Sequence, residues 1–200
     1  MKRLILASGS PRRREIMASH GHEFIIIKAE GEEYSDAAFP GQYVSDLSRD
    51  KGMEVLGKVK DKLPEGFDAD DCIYILSADT VVAVDNDILG KPENRADAIK
   101  MIKRIADRSH SVYTGVTIVR LSGGEEKVHT FYDETKVFVK HLTDAEIEAY
   151  VDLGECMDKA GAYAIQGGFG PYIDHIEGDY TNVVGLPYEK VYDALKELDY

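Results

Sequence analysis

Arg3-Leu-Ile-Leu-Ala-Ser-Gly-Ser-Pro-Arg-Arg-Arg14 changes character twice. Its first residues, 3–7, form a short apolar run of the kind a buried strand uses. Ser8-Gly9-Ser10 then turns the chain. Ser10 suits a helix N-cap and Pro11 the first helical position, which predicts a helix from Pro11 to about His20. Strand, tight turn and helix together open an α/β unit. The three arginines are the anomaly. Exposed cations in a first helical turn cost roughly 0.3–1 kcal/mol each against the macrodipole. Free N–H groups beside guanidinium forks do suit a phosphate chain, the plain alternative being a solvated basic turn.

Working outward, residues 23–29 read as a second strand, and Phe39-Pro40-Gly41 opens a longer helix to about Lys62. Residues 73–78 form a third buried strand, followed by an extended stretch over 80–85 and a turn at Asn86-Asp87. Ala98, Met101, Ile102 and Ile105 give helical spacing over 95–107. Extended runs at 111–121 and 127–141 flank Ser122-Gly123-Gly124, a hairpin signal. Thr143-Asp-Ala-Glu146 is a capping box, starting a helix that ends near Gly154. Short strands are expected around 163–166 and 172–176, and a last helix after Pro187. Residues 58–71 read as a surface connection, so residues 1–200 are expected to form one α/β domain with a mixed sheet.

Composition narrows the function. The chain has 200 residues, 44% of them hydrophobic, enough for a sizeable core. Its net charge of −13 opposes a general nucleic-acid binder, which needs a basic surface. A small anionic ligand stays open, provided that the cations meeting it gather in one place. Runs such as Phe24-Ile-Ile-Ile27 are far too short to cross a bilayer, and Met1-Lys2-Arg3 leads into a core strand instead of a signal peptide. A cytoplasmic protein without membrane or nucleic-acid partners is expected. Cys72 and Cys156 lack the spacing of a disulfide framework or zinc knuckle.

Five further places carry candidate chemistry. Lys51 lies inside the apolar stripe of Val44, Leu47, Val55 and Val59, so it presents its ammonium either to an interior cleft or to solvent. Asp79 follows an apolar strand, at the kind of position where open α/β sheets place ligand groups; it reads as metal ligand, proton acceptor or simple turn residue. Lys91, between Gly90 and Pro92, sits on a constrained backbone. Glu32-Glu33 is a solvated turn or a metal-ligand site. In the glycine-rich segment 159–168, Gln166 carries both a donor and an acceptor, suited to a pyrimidine edge; a plain strand end is the other reading.

The ordered set Leu6-Ala-Ser-Gly-Ser-Pro-Arg-Arg13, Glu33, Lys51, Ser77-Ala-Asp-Thr80, Gly90-Lys-Pro92, Val112-Tyr-Thr-Gly115, Asp158-Lys-Ala-Gly-Ala-Tyr163, Ile165-Gln-Gly167 and Asn182-Val-Val-Gly-Leu-Pro187 resembles the Maf family of nucleotide pyrophosphatases. The resemblance implies an elongated mixed sheet flanked by helices, two lobes with a cleft, a divalent cation (Mg or Mn) and a homodimer. It implies hydrolysis of nucleoside triphosphates to monophosphate and diphosphate. Asp79 matches the family's proton acceptor and, with Glu33, the metal-facing acids. Ser8, Ser10, Arg12, Lys51 and Lys91 match its substrate contacts. Arg13, Thr80 and Gln166 match the set associated with dTTP and UTP. A pyrophosphatase for a modified pyrimidine nucleotide or 7-methyl-GTP, and a nucleotide-binding regulator of cell division, are the competing readings. Ala164 and Cys156 depart from the family pattern, outside the reacting groups.

Overall fold

Apolar β-branched runs supply one sheet, and the helices cover its two faces. In the computed structural model, which describes residues 1–200, the order is β1 (Lys2–Leu6), α1 (Pro11–Ser19), β2 (Ile25–Ile26), α2 (Pro40–Asp61), β3 (Cys72–Val84), β4 (Asp87–Leu89), α3 (Arg95–Ile105), β5 (Ser109–Ser122), β6 (Glu125–Val139), α4 (Asp144–Asp152), β7 (Ile173–Glu177), α5 (Tyr180–Val184) and α6 (Tyr188–Glu197). The sheet has seven strands in the order β2-β1-β3-β5-β6-β7, with β4 paired to β3. β1 runs parallel to β2 and β3, and the other pairings are antiparallel.

The long strands β3 and β5 tie two lobes together. Along β3, side chains alternate between the faces. Tyr74, Leu76 and Ala78 pack with α1 and α6 through Met17, Val191 and Leu195. Val82 and Val84, on the same face, pack with α3, α4 and Phe169. Between these cores that face carries Thr80 and, on β5, Thr114, hydrogen-bonded at 2.9 Å. The other face is crossed by α2, which buries Val55, Leu56 and Val59 against Ile73 and Ile75. Gly115 permits that crossing: a Cβ there would lie 2.2 Å from the Val44 carbonyl oxygen.

One edge of β3 is incomplete. β5 pairs with it from Ile73 to Ala83. On the opposite edge β1 covers Cys72 to Leu76 and β4 covers Val82 to Val84, leaving residues 77–81 without a neighbouring strand. This gap is where the lobes part and the cleft opens.

Four expectations need correction. Strand 23–29 shrinks to Ile25–Ile26, because this edge strand finds only the last two residues of β1 to pair with. The strand at 163–166 is absent. Gly161 and Ala162 both take positive φ, at 67° and 60°, ending a 3₁₀ turn and breaking extended backbone. Asp79 lies inside continuous β3, not at a strand end. The β3–β4 turn sits one residue earlier, with Asp85 and Asn86 at φ 53° and 68°, a pair of left-handed residues that matches the twist of a tight hairpin. Helix α5 was not anticipated; the Asp179 side chain caps it by accepting from Thr181 N.

Candidate active site

The gap in β3 exposes both faces of the strand to one cleft of about 670 Å³, a volume typical of small-molecule sites. Thr80 enters it from one face and Asp79 from the other. From above, the Ser8-Gly9-Ser10 turn and the start of α1 close over the gap. Ser10 caps α1 by accepting from Arg13 N at 3.5 Å, and Ser8 Oγ accepts from Ser10 N at 3.2 Å. Both serines line the cleft.

Helix α2 delivers its cation by periodicity. Tyr43, Leu47 and Lys51 follow at four-residue intervals and all line the cleft, so Lys51 points inward and not to bulk solvent. Its Nζ lies 2.6 Å from Asp79 Oδ1 and 2.9 Å from Glu33 Oε1. The Lys51 and Asp79 side chains are only 17% and 12% exposed, whereas Glu33 is 55% exposed. The Lys51–Asp79 pair is therefore shielded from water and stronger than a surface bridge, while the Glu33 contact is screened.

Arg13 is committed differently. Its Nε donates to Gly185 O at 2.8 Å, Nη1 to Ala78 O at 2.7 Å and to Ser8 Oγ at 3.2 Å, and Nη2 to Thr80 Oγ1 at 3.0 Å. Burial holds its pKa below the ordinary arginine value; nearby Asp79 opposes that and Arg12 adds to it. It fastens three cleft-lining segments to one another.

Arg12 and Lys91 line the same cleft and form no salt bridge. Two cations that sequence reasoning passed over join them. Lys28 follows β2 and lays its side chain against Gly9, with Nζ 3.5 Å from where a Cβ would stand. Lys159 also lines the cleft but is paired with Asp158. Nothing in local sequence marked Lys28, since its place beside Gly9 depends on the parallel pairing of β1 with β2. Gln166 is exposed and lies outside the lining, which its neighbours Ala164 and Ile165 form.

The donor chemistry also bears on a metal. Two carboxylate oxygens, from Glu33 and Asp79, already converge on one cationic nitrogen. No cluster of three or more His, Cys, Asp or Glu side chains accompanies them. Two hard oxygen donors fit Mg²⁺, which uses few protein carboxylates and completes its shell with phosphates and water; Mn²⁺ accepts similar donors.

A cleft ringed by cations, with a buried carboxylate at a break in a mixed sheet, defines an α/β protein built to seat a polyanion beside an acid–base group. The family model described as "Maf-like protein" matches residues 3–198, and the chain belongs to that family. It is 45% identical over 194 residues to the dTTP/UTP pyrophosphatase of Thermoanaerobacter sp. (strain X514), covering 97% of this chain and 95% of that protein. The dTTP/UTP pyrophosphatase of Agathobacter rectalis is 44% identical, with 99% and 98% covered. That of Bacillus anthracis (strain CDC 684 / NRRL 3495) is 40% identical, with 100% and 97% covered. No helix is long and apolar enough to cross a membrane.

Proposed function

We propose that this chain is a nucleoside triphosphate pyrophosphatase that converts dTTP and UTP to the monophosphate and diphosphate. The observation that carries the reading is the convergence of Arg12, Lys51 and Lys91 with Asp79 in one cleft. An acidic chain has gathered its cations around the one buried carboxylate of the cleft, Asp79. Relatives covering nearly the whole chain are named for dTTP and UTP. This favours the pyrimidine reading over a methylated purine, and catalysis over binding alone.

In the reaction, water attacks the α-phosphorus, the bond to the bridging oxygen breaks, and diphosphate leaves with that oxygen. Arg12, Lys51 and Lys91 hold and neutralise the phosphate chain. Asp79 orients the water and takes its proton. Glu33 and Asp79 would hold a Mg²⁺ or Mn²⁺ ion, which when bound supplies charge neutralisation and a more acidic water. Ser8 and Ser10 shape the turn that closes over the phosphates. Arg13 and Thr80 fix the cleft floor beside the base; Gln166 lies outside the lining, so Ala164 and Ile165 are the residues of its segment that face the base. The same reading includes a cytoplasmic homodimer, which sedimentation and cell fractionation test.

The deciding experiment incubates the protein with a nucleotide panel and Mg²⁺ or Mn²⁺ and separates diphosphate from orthophosphate. Diphosphate from dTTP and UTP is expected. Diphosphate only from 7-methyl-GTP, or binding with no product, overturns the assignment.

A further inference from the structure

Lys51 sits where a metal would. Its ammonium touches Glu33 Oε1 and Asp79 Oδ1 at 2.9 and 2.6 Å, and these are the two oxygens best placed to hold a divalent cation. A second cation cannot enter the same point without displacing the first, because like charges a few ångströms apart in a shielded site repel strongly. The three partners also differ in freedom. Asp79 is fixed on β3. Glu33 lies on irregular chain ahead of α2 and is more than half exposed. Lys51 has a flexible four-carbon stem. The carboxylates can therefore close on a smaller ion while the lysine swings away, and the cleft it swings into is the one lined by Arg12, Lys28 and Lys91.

We propose that Lys51 is an internal place-holder: its ammonium occupies the divalent-cation position in the metal-free protein, and metal binding releases it toward the phosphate chain as the same event. The inference rests on the reading of Glu33 and Asp79 as the metal-facing acids. The exchange weakens binding of metal alone and couples metal to polyphosphate. Each then raises the other's affinity by an equal factor, since binding linkage is reciprocal.

The test titrates the intact protein with Mn²⁺ alone, without nucleotide, following free Mn²⁺ by electron paramagnetic resonance. Lys51→Gln and Lys51→Met are expected to bind Mn²⁺ about tenfold more tightly than the wild type, within the ordinary range of site-to-site coupling. Unchanged, weaker or undetectable binding in both variants overturns the exchange. A second measurement needs no variant. The rate at which an amine-reactive acylating reagent labels Lys51, read by peptide mass spectrometry, should rise several-fold when Mn²⁺ saturates the wild type, and a constant rate overturns the proposal. Glu33→Gln and Asp79→Asn serve as separate controls. If both bind Mn²⁺ like the wild type, the metal-facing assignment fails, whatever Lys51 does. Absence of diphosphate release from dTTP would sink the proposed activity without touching the Mn²⁺ result.

Discussion

Arg13 Nη1 donates to the carbonyl oxygen of Ala78 at 2.7 Å, on the stretch of β3 where no neighbouring strand supplies an amide. A side chain has taken the place of a strand. The ladder is interrupted to make room for a ligand, yet the exposed backbone acceptor stays satisfied, as a shielded carbonyl requires. The same guanidinium reaches Gly185 O and Thr80 Oγ1, so it couples the turn after α5 to the cleft floor.

Arg13→Lys should therefore be far from conservative. One ammonium cannot reproduce a planar fork serving four acceptors. At least one shielded oxygen would lose its donor, at a cost of about 2 kcal/mol. The cleft walls would shift, and a displacement near 1 Å costs roughly 100-fold in rate. Thermal melts and dTTP kinetics check both effects. A variant with wild-type kcat/KM and a lowered melting temperature would reduce Arg13 to scaffold.

Asp79→Asn should lower kcat for dTTP by about 100-fold or more, the usual scale for losing a general base. Triphosphate binding should survive, because Arg12, Lys28 and Lys91 line the cleft without carboxylate partners. Calorimetric binding and steady-state kinetics separate the two. Equal turnover in variant and wild type would remove Asp79 from the chemistry.

The site was legible wherever local geometry dictated it. Ser10 and Pro11 announced a strand–turn–helix junction, and the arginines stood out there against the dipole, because capping and dipole effects act within one turn. Lys51 stood out inside an apolar stripe, and α2 does aim it inward. What stayed hidden was non-local. That β1 and β4 share one edge of β3 and leave 77–81 bare is a property of pairing, not of any segment. The strand expected at 163–166 failed because Ala162, an alanine in a left-handed conformation, carries no sequence mark of its backbone. Its neighbour Gly161 packs so closely on Val82 that a Cβ would meet it at 2.8 Å.

Gly115→Ala tests how the fold aims Lys51. The added methyl would meet the Val44 carbonyl oxygen at 2.2 Å and Ser45 N at 2.6 Å, backbone atoms of α2 that cannot turn aside as a side chain would. Helix and sheet must separate, at a cost of about 3 kcal/mol for an overpacked contact. That lowers the melting temperature by roughly 10 °C for a chain of this size. Because Lys51 rides on α2, activity per folded molecule should fall too. Urea unfolding gives the first number, and kinetics well below the melting point give the second. Unchanged stability would mean that α2 is not held against Gly115.

His110 makes the acid limit of stability predictable. It is 3% exposed, its Nε2 lies 2.7 Å from Tyr163 Oη, and its Nδ1 is buried without a partner. Burial, with a smaller contribution from Arg108, pushes its pKa down from 6.5 to about 4, so the native ring is neutral. The unfolded chain therefore binds this proton first as pH falls. The stability tied to the neutral ring is complete above pH 6.5 and drains away between about 6.5 and 4, reaching about 3 kcal/mol at the lower end. Carboxylates titrate through part of that window too, so the informative quantity is a difference. His110→Gln, which keeps a polar group facing Tyr163, should lose markedly less stability than the wild type between pH 7 and 4.5 in urea unfolding. Tyr163 also lines the cleft, so any activity loss that His110 causes in the folded enzyme should appear only as pH nears 4, where the native ring takes up its proton. Parallel pH curves for the two proteins would show that the acid-sensitive proton lies elsewhere.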